Sequence, residues 1–377
     1  MESKKDLVRL SKSILDEREA TAVTRVLLED GYTGMGKEVQ KFEQELQEFL
    51  HTDREVGCVN SGTAALHLAV DAVTKPGDEV LVQALTFVAS FQAISGAGAV
   101  PVACEIDPST FTIDLQDAEK RVTERTKAIM PVHYASDPAN LDEIYAFAKK
   151  YNLRVIEDAA HAFGTFYNQK LIGSFGDIVC FSFDGIKNIT CGEGGAVVTG
   201  DPVVAQYIRD ARLLGIQKDT EKRYEGRRSW EFDVVHQGYR YHMSNIMAAI
   251  GRVQLQKFPL FKKARQDLSK RYLELLKDIK GIELFIKDYD KIVPHIFPIK
   301  VFDGKRDGLK EHLHSYNIES GIHYYPSHVL SFYKKDGVEL PKTDKAYSQL
   351  LTLPLHPDLT EEQQTFIVNK IKEYLSK

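Results

Sequence analysis

Cysteine is scarce in this chain and is not arranged to bind anything. The four cysteines among 377 residues (Cys58, Cys104, Cys180 and Cys191) share no CxxC spacing, and three sit in apolar stretches. A disulfide scaffold is excluded, a metal site is not expected, and buried thiols are. Long apolar runs are missing too. No segment reaches a bilayer-spanning length, and Met1-Glu-Ser-Lys-Lys-Asp6 lacks the apolar core of a secretion signal. No membrane partner and a cytoplasmic location are therefore expected. There is no excess of positive charge: the formal net charge is -5, which speaks against a nucleic-acid partner. Internal repeats and low-complexity segments are also absent. What remains is an ordinary globular balance, 43% apolar and 27% charged. The length suits a large α/β domain with a smaller appendage.

The pattern along the chain supports that division. Asp16–Leu28 and Val39–Leu50 read as helices around a glycine-broken loop, Asp30–Gly36. From there to about residue 200, strands and helices alternate. The strand candidates are Glu79–Val82, Val100–Cys104, Ala128–Val132, Arg154–Ile156, Ile178–Phe183 and Ala196–Thr199. They are short, β-branched and without polar alternation, which predicts a mainly parallel sheet with helices on both faces. Thr63–Thr74, Leu115–Thr123, Leu141–Tyr151, Val203–Leu213 and Ser244–Gln256 read as helices. Lys218–Trp230 reads as a charged, mobile loop, and Leu255–Leu276 as a long basic amphipathic helix. The domain boundary is set at 250, giving a large domain over 1–250 and a small C-terminal domain over 251–377.

One lysine organises the functional reading. The apolar stretch Asp177–Phe183 delivers Lys187 into a turn followed by Gly192-Glu-Gly-Gly195. A second apolar stretch, Leu153–Ile156, ends in Glu157-Asp158-Ala-Ala-His161. A lysine and an aspartate, each just past a buried strand, are the pair that pyridoxal 5'-phosphate (PLP) chemistry needs. The lysine holds the cofactor as a Schiff base, and the carboxylate pairs with the pyridinium nitrogen. An isolated lysine in a turn is usually a surface residue, and Asp158 alone would pass for a helix cap. His161 is placed to face the ring oxygen. Asn60-Ser-Gly-Thr-Ala64 opens a helix whose N–H groups would hold a phosphate, with Ser182 adding a hydroxyl. Phe87, after the strand Glu79–Val82, is the candidate stacking ring, although aromatics more often fill cores.

Taken in order, these segments resemble the DegT/DnrJ/EryC1/StrS family of nucleotide-sugar aminotransferases. The resemblance rests on Asn60–Leu66, Thr86-Phe87, Val155–His161, Ser182-Phe183 with Lys187 and Gly192–Gly195, and Gly238–Gly251. It runs from Gly31-Tyr-Thr-Gly34 to Leu353-Pro-Leu-His356. It implies a type I aminotransferase fold, with a seven-stranded sheet in a large PLP-binding domain and a smaller C-terminal α/β domain. It also implies a homodimer with shared active sites. Lys187 would carry PLP, with Asp158, His161, Phe87, Gly62, Thr63, Ser182 and Arg240 as cofactor contacts. Tyr32, Thr33, His323 and Tyr324 match segments that shape the sugar site. Two departures stand out. Many members read Gly-Tyr-Asn-Tyr-Arg-Met, where the asparagine reaches the partner subunit's cofactor phosphate. Here Arg240 takes the asparagine's place and His242 the arginine's. His133-Tyr-Ala-Ser-Asp-Pro138 also replaces a commoner motif with glycine after the aromatic.

The expected reaction has two halves. L-Glutamate converts PLP to pyridoxamine 5'-phosphate, which then aminates a ketone of a nucleotide-linked deoxysugar. A 4-keto sugar is favoured over a 3-keto one. Lys187 weighs against a sugar dehydrase, whose relatives carry histidine there. A non-catalytic PLP-binding regulator would not need the Lys187, Asp158 and Ser182 set. A dinucleotide enzyme lacks its GxGxxG between first strand and helix.

Overall fold

The computed structural model describes residues 7–377. Its main sheet is built from β1 (Glu55–Val59), β2 (Glu79–Gln83), β3 (Val100–Cys104), β4 (Thr126–Met130) and β5 (Arg154–Asp158). A small hairpin of β6 (Phe166–Tyr167) and β7 (Lys170–Leu171) follows, and β8 (Ile178–Ser182) and β9 (Gly195–Thr199) complete the sheet. The spatial order is β1-β9-β8-β5-β4-β2-β3. β9 runs antiparallel to both neighbours, whereas β8, β5, β4, β2 and β3 pair in parallel. This is the mainly parallel seven-stranded sheet that the resemblance implied.

Burial on both faces explains the missing alternation. Every residue of β2, β8 and β9 is buried. Along β8, Val179 and Phe181 enter one apolar cluster with Phe42, Leu46 and Phe163. Ile178 and Cys180 enter another, with Leu68, Phe91 and Ile94 from the opposite face. β1 was not among the expected strands because Gly57 breaks its apolar run. That glycine lets the helix Pro202–Ala211 approach: a Cβ there would lie 3.1 Å from Ile208 Cγ2.

The C-terminal layer is an antiparallel sheet of β10 (Ile282–Leu284), β11 (Phe297–Val301) and β12 (Leu350–Leu353), in that order. Helices Arg306–Ser315 and Glu361–Leu375 cover it through Leu309, Leu313, Ile367 and Ile371. Val8 packs into this cluster and bridges to Ile318, so the two ends of the described chain meet here. The helices expected at Ser244–Gln256 and Leu255–Leu276 are one element, Asn245–Leu276, which continues through Pro259. Phe258 and Phe261 on either side of the proline are buried, and that packing outweighs one lost helical hydrogen bond. No described helix is long and apolar enough to cross a membrane.

The segment expected to be a mobile loop instead contains a helix, Asp219–Tyr224. Asp219 is buried, accepts from Arg223 Nε at 2.6 Å, and accepts from the Ser229 N–H at 3.0 Å. Tyr224 from the same helix meets Arg212, which is 0% exposed. Arg212 donates to Glu43 Oε1 at 2.6 Å, to the Cys58 carbonyl at 2.8 Å and to the Tyr224 hydroxyl at 3.0 Å. Its guanidinium is thus spent on the core. Glu43→Ala should strip this buried charge of its partner and destabilise the fold by about 3–5 kcal/mol, read from denaturant unfolding. Glu43→Leu with Arg212→Met should recover most of that loss.

Candidate functional site

The carboxyl ends of the parallel strands converge on one cavity of about 430 Å³, where an open α/β sheet usually binds its ligand. Thr86 and Phe87 follow β2, Val132 follows β4, and Asp158, Ala160 and His161 end or follow β5. Ser182, Asp184, Ile186 and Lys187 end or follow β8, and Ser61, Gly62 and Thr63 follow β1. His295, His323 and Tyr324 close the cavity from the C-terminal half.

Lys187 sits in a turn that its own N–H closes on the Asp184 carbonyl at 3.1 Å. The next residue, Asn188, fixes the turn by donating to the carbonyls of Phe163 and Val293 at 3.1 and 3.0 Å. Burial brings the Lys187 amine down to about 8, against the opposing pull of Asp184 and Asp158, with Arg265 acting in the same direction as burial. Asp158 accepts from Ser90 Oγ at 2.8 Å and from the Ala160 N–H at 3.2 Å. Burial raises its pKa above the usual carboxylate value despite these bonds and Lys187. The cavity therefore holds a desolvated carboxylate suited to a cationic ring nitrogen.

At the other end, the helix Gly62–Asp71 points its start into the cavity. Ser61 caps it, its hydroxyl accepting from the Ala64 N–H at 3.1 Å and its carbonyl from the Ala65 N–H at 3.1 Å. The first two N–H groups, of Gly62 and Thr63, stay available for an anion. A Cβ on Gly62 would meet Ser182 Cβ at 2.7 Å, so glycine is what brings this helix start beside the Ser182 hydroxyl. Phe87 is 57% exposed over the cavity, with its ring centroid 5.6 Å from that of Tyr324. His161 Nε2 lies 2.7 Å from the Tyr324 hydroxyl, while its buried Nδ1 has no partner among the described residues. An amine, a buried carboxylate, an open ring face, an orphaned imidazole nitrogen and an anion-ready helix start fit PLP along its whole length.

Gly62, Thr63, Phe87, Asp158, His161, Ser182, Lys187, His323 and Tyr324 all line the cavity. Arg240, Tyr32 and Thr33 do not. Arg240 is exposed, and its carbonyl accepts from Asn60 Nδ2 at 3.4 Å. The carbonyls of Tyr32 and Thr33 are held by Asn245 at 2.9 and 3.2 Å. Tyr32 and Thr33 are thus tied to the start of the long helix, and Arg240 lies in the segment that leads into it. Sequence reading missed Ser90, His295, Asp184 and Glu193. Ser90 has a signal, a polar residue in the first turn of an apolar helix three residues after Phe87; His295 belongs to no motif.

The profile of the DegT/DnrJ/EryC1/StrS aminotransferase family matches residues 13–372. The chain belongs to that family. The spore coat polysaccharide biosynthesis protein SpsC of Bacillus subtilis (strain 168) is 35% identical over 374 residues, covering 96% of each chain. Among solved structures, Helicobacter pylori PseC, an aminotransferase involved in the biosynthesis of pseudoaminic acid, superposes with a TM-score of 0.90 at 28% identity. The match covers 98% of this chain and 100% of PseC. Spr1654 of Streptococcus pneumoniae, assigned as a sugar aminotransferase, reaches 0.90 at 29% identity in its PMP form, over 98% of both chains, and is also known in its PLP form. DegT/DnrJ/EryC1/StrS aminotransferases are PLP-dependent enzymes, and this chain is one of them.

In the cofactor-free chain, the Lys187 amine should react with reductive-methylation reagents with a midpoint near pH 8, below the ordinary lysine value of 10.5. Peptide mass spectrometry across a pH series checks this, because reaction requires the uncharged amine.

Proposed function

We propose that this enzyme moves an amino group from L-glutamate to a keto group of a nucleotide-linked deoxysugar, with the 4-keto position favoured and the 3-keto position second. The observation that carries the reading is the desolvated Lys187 amine at one end of a cavity that also holds Asp158 and an anion-ready helix start. The sugar class rests on the family and on the relatives named above. The 4-keto preference rests on the motif resemblance.

Lys187 would anchor the cofactor, Asp158 would pair with its ring nitrogen, and His161 would face its ring oxygen. Phe87 would cover the ring, and Gly62, Thr63 and Ser182 would hold the phosphate. The bound cofactor supplies an electron sink that acidifies the carbon bearing the amino group. Once free, Lys187 Nζ takes the proton from that carbon and returns it across the transfer. Burial keeps a useful fraction of the amine uncharged near neutral pH. His323 and Tyr324, on the C-terminal side of the cavity, would contact the sugar.

Among the described residues, Lys187 is the cavity's single lysine or arginine, whereas an amino acid carboxylate and a diphosphate both need cations. Arg240, Tyr32 and Thr33 do not line this cavity. We infer that they complete the cavity of a second copy in a homodimer, with Arg240 directed at the cofactor phosphate.

Purified protein given PLP should show the visible absorption of lysine-linked pyridoxal. Glutamate should bleach it and release 2-oxoglutarate, and a 4-keto sugar nucleotide should restore it. Lys187→Ala should lose all of these, and an absorption indifferent to glutamate would reject the donor. The shared site has its own test, because Lys187→Ala and Arg240→Ala leave different halves intact. Mixing the two subunit variants should regain about a quarter of native activity, the share of intact sites in a random dimer population.

A further inference from the structure

We propose that His295 is a positioning residue for Lys187, receiving the lysine amine when it leaves the cofactor, and that Ser136 and Arg265 hold His295 in place. The proposal rests on the reading of Lys187 as the PLP lysine. His295 Nε2 lies 3.4 Å from Lys187 Nζ, and the imidazole is 3% exposed. Its ring centroid is 4.6 Å from that of His161, which fixes the ring plane against the cavity wall.

The backbone around His295 is gripped from two sides. Ser136 Oγ accepts the His295 N–H at 2.9 Å and donates to the His161 carbonyl. Ser136 can do this because it and Ala135 both adopt the left-handed backbone, with φ of 71° and 50°. This is the segment where the chain departs from the commoner motif with glycine. From the long helix, Arg265 Nη1 donates to the carbonyls of His295, Pro294 and Leu355 at 3.2, 3.4 and 3.3 Å. Arg265 is 2% exposed and has no carboxylate partner among the described residues. A guanidinium buried without an acid is costly, and these three carbonyls are what it holds.

The groups facing this pair come from every neighbouring segment. Lys187 and Asp184 follow β8, and Asp158 and His161 end or follow β5. His323 and Tyr324 approach from the C-terminal half, and Arg265 from the long helix. Burial, then the Lys187 charge, lower His295 well below the usual histidine range. A neutral imidazole accepts a hydrogen bond from the ammonium at Nε2. Its loss makes the ammonium less favourable, so the amine pKa should fall rather than rise.

The first reading is the methylation midpoint of Lys187 in the cofactor-free chain. His295→Leu should lower it by about one pH unit, the effect of removing one acceptor from a desolvated ammonium. His295→Gln, whose amide reaches the position of Nε2, should restore the native midpoint. In the loaded enzyme His295→Leu should reduce kcat about tenfold or more with the KM for glutamate unchanged, and His295→Gln should recover part of it. If His295→Leu does not fold, His295→Asn, too short to reach Nζ, carries the same expectation. A folded Leu or Asn variant with the native midpoint overturns the proposal, as does an equal midpoint shift in the Gln variant. The titration is read without cofactor, so it succeeds or fails independently of PLP attachment, which the absorption experiment tests.

Discussion

Everything in this molecule is arranged around keeping one lysine amine out of water without neutralising it by a close carboxylate. A lysine beside a bonded acid stays charged and cannot take a proton. Lys187 avoids that: Asp184 and Asp158 act on it at a distance, while its nearest polar contact is an imidazole. Asp158 is itself occupied by Ser90 and the Ala160 N–H. The histidines of the cavity, His161, His295 and His323, are kept neutral by burial and then by Lys187. Burial sets the protonation of these three imidazoles, and the Lys187 charge pushes each of them in the same direction.

Such a site needs rigid walls from both halves of the chain, and the contacts between them cluster at the same sheet edge. Tyr134 donates to the His323 carbonyl at 2.7 Å, and the Ser327 N–H donates to the Ala84 carbonyl at 2.8 Å. Lys287 pairs with Asp137 at 2.6 Å, and Glu105 receives the Thr343 N–H at 2.8 Å. Each loop beyond a parallel strand grips a residue far along the sequence. These ties hold the loops where β5 and β8 end in the cavity at Asp158 and Ser182.

This explains what the sequence could and could not reveal. Lys187, Asp158 and the Gly62 helix start were legible because each follows its strand within a few residues, so local order already fixes their side of the sheet. The sheet was legible for a similar reason, since two-sided burial writes itself as short apolar runs. β1 escaped because Gly57 serves the helix packed on it. His295, Ser136 and Arg265 escaped because their meaning lies in each other: the contacts span 159 positions between His295 and Ser136 and 30 between Arg265 and His295. No periodicity encodes such an encounter. The charged stretch at residues 218–230 misled for the opposite reason. Its Asp219 is buried by Arg223 and the Ser229 N–H, so charge there reports internal pairing rather than solvent.

The exchange at residues 240 and 242 follows the same logic of charge placement. The segment is extended, bridging Leu213 at Arg240 and Val59 at His242. Residues two apart in an extended chain share a face. An asparagine followed two residues later by arginine is therefore replaced, on one face, by an arginine followed by histidine. Burial, then Arg240 and Arg223, hold His242 down to about 4, so it is neutral in ordinary conditions. In this chain the cation of the pair stands at the exposed position and the neutral ring at the half-buried one. Arginine at 242 would place a third guanidinium beside Arg240 and Arg223, which a neutral imidazole avoids.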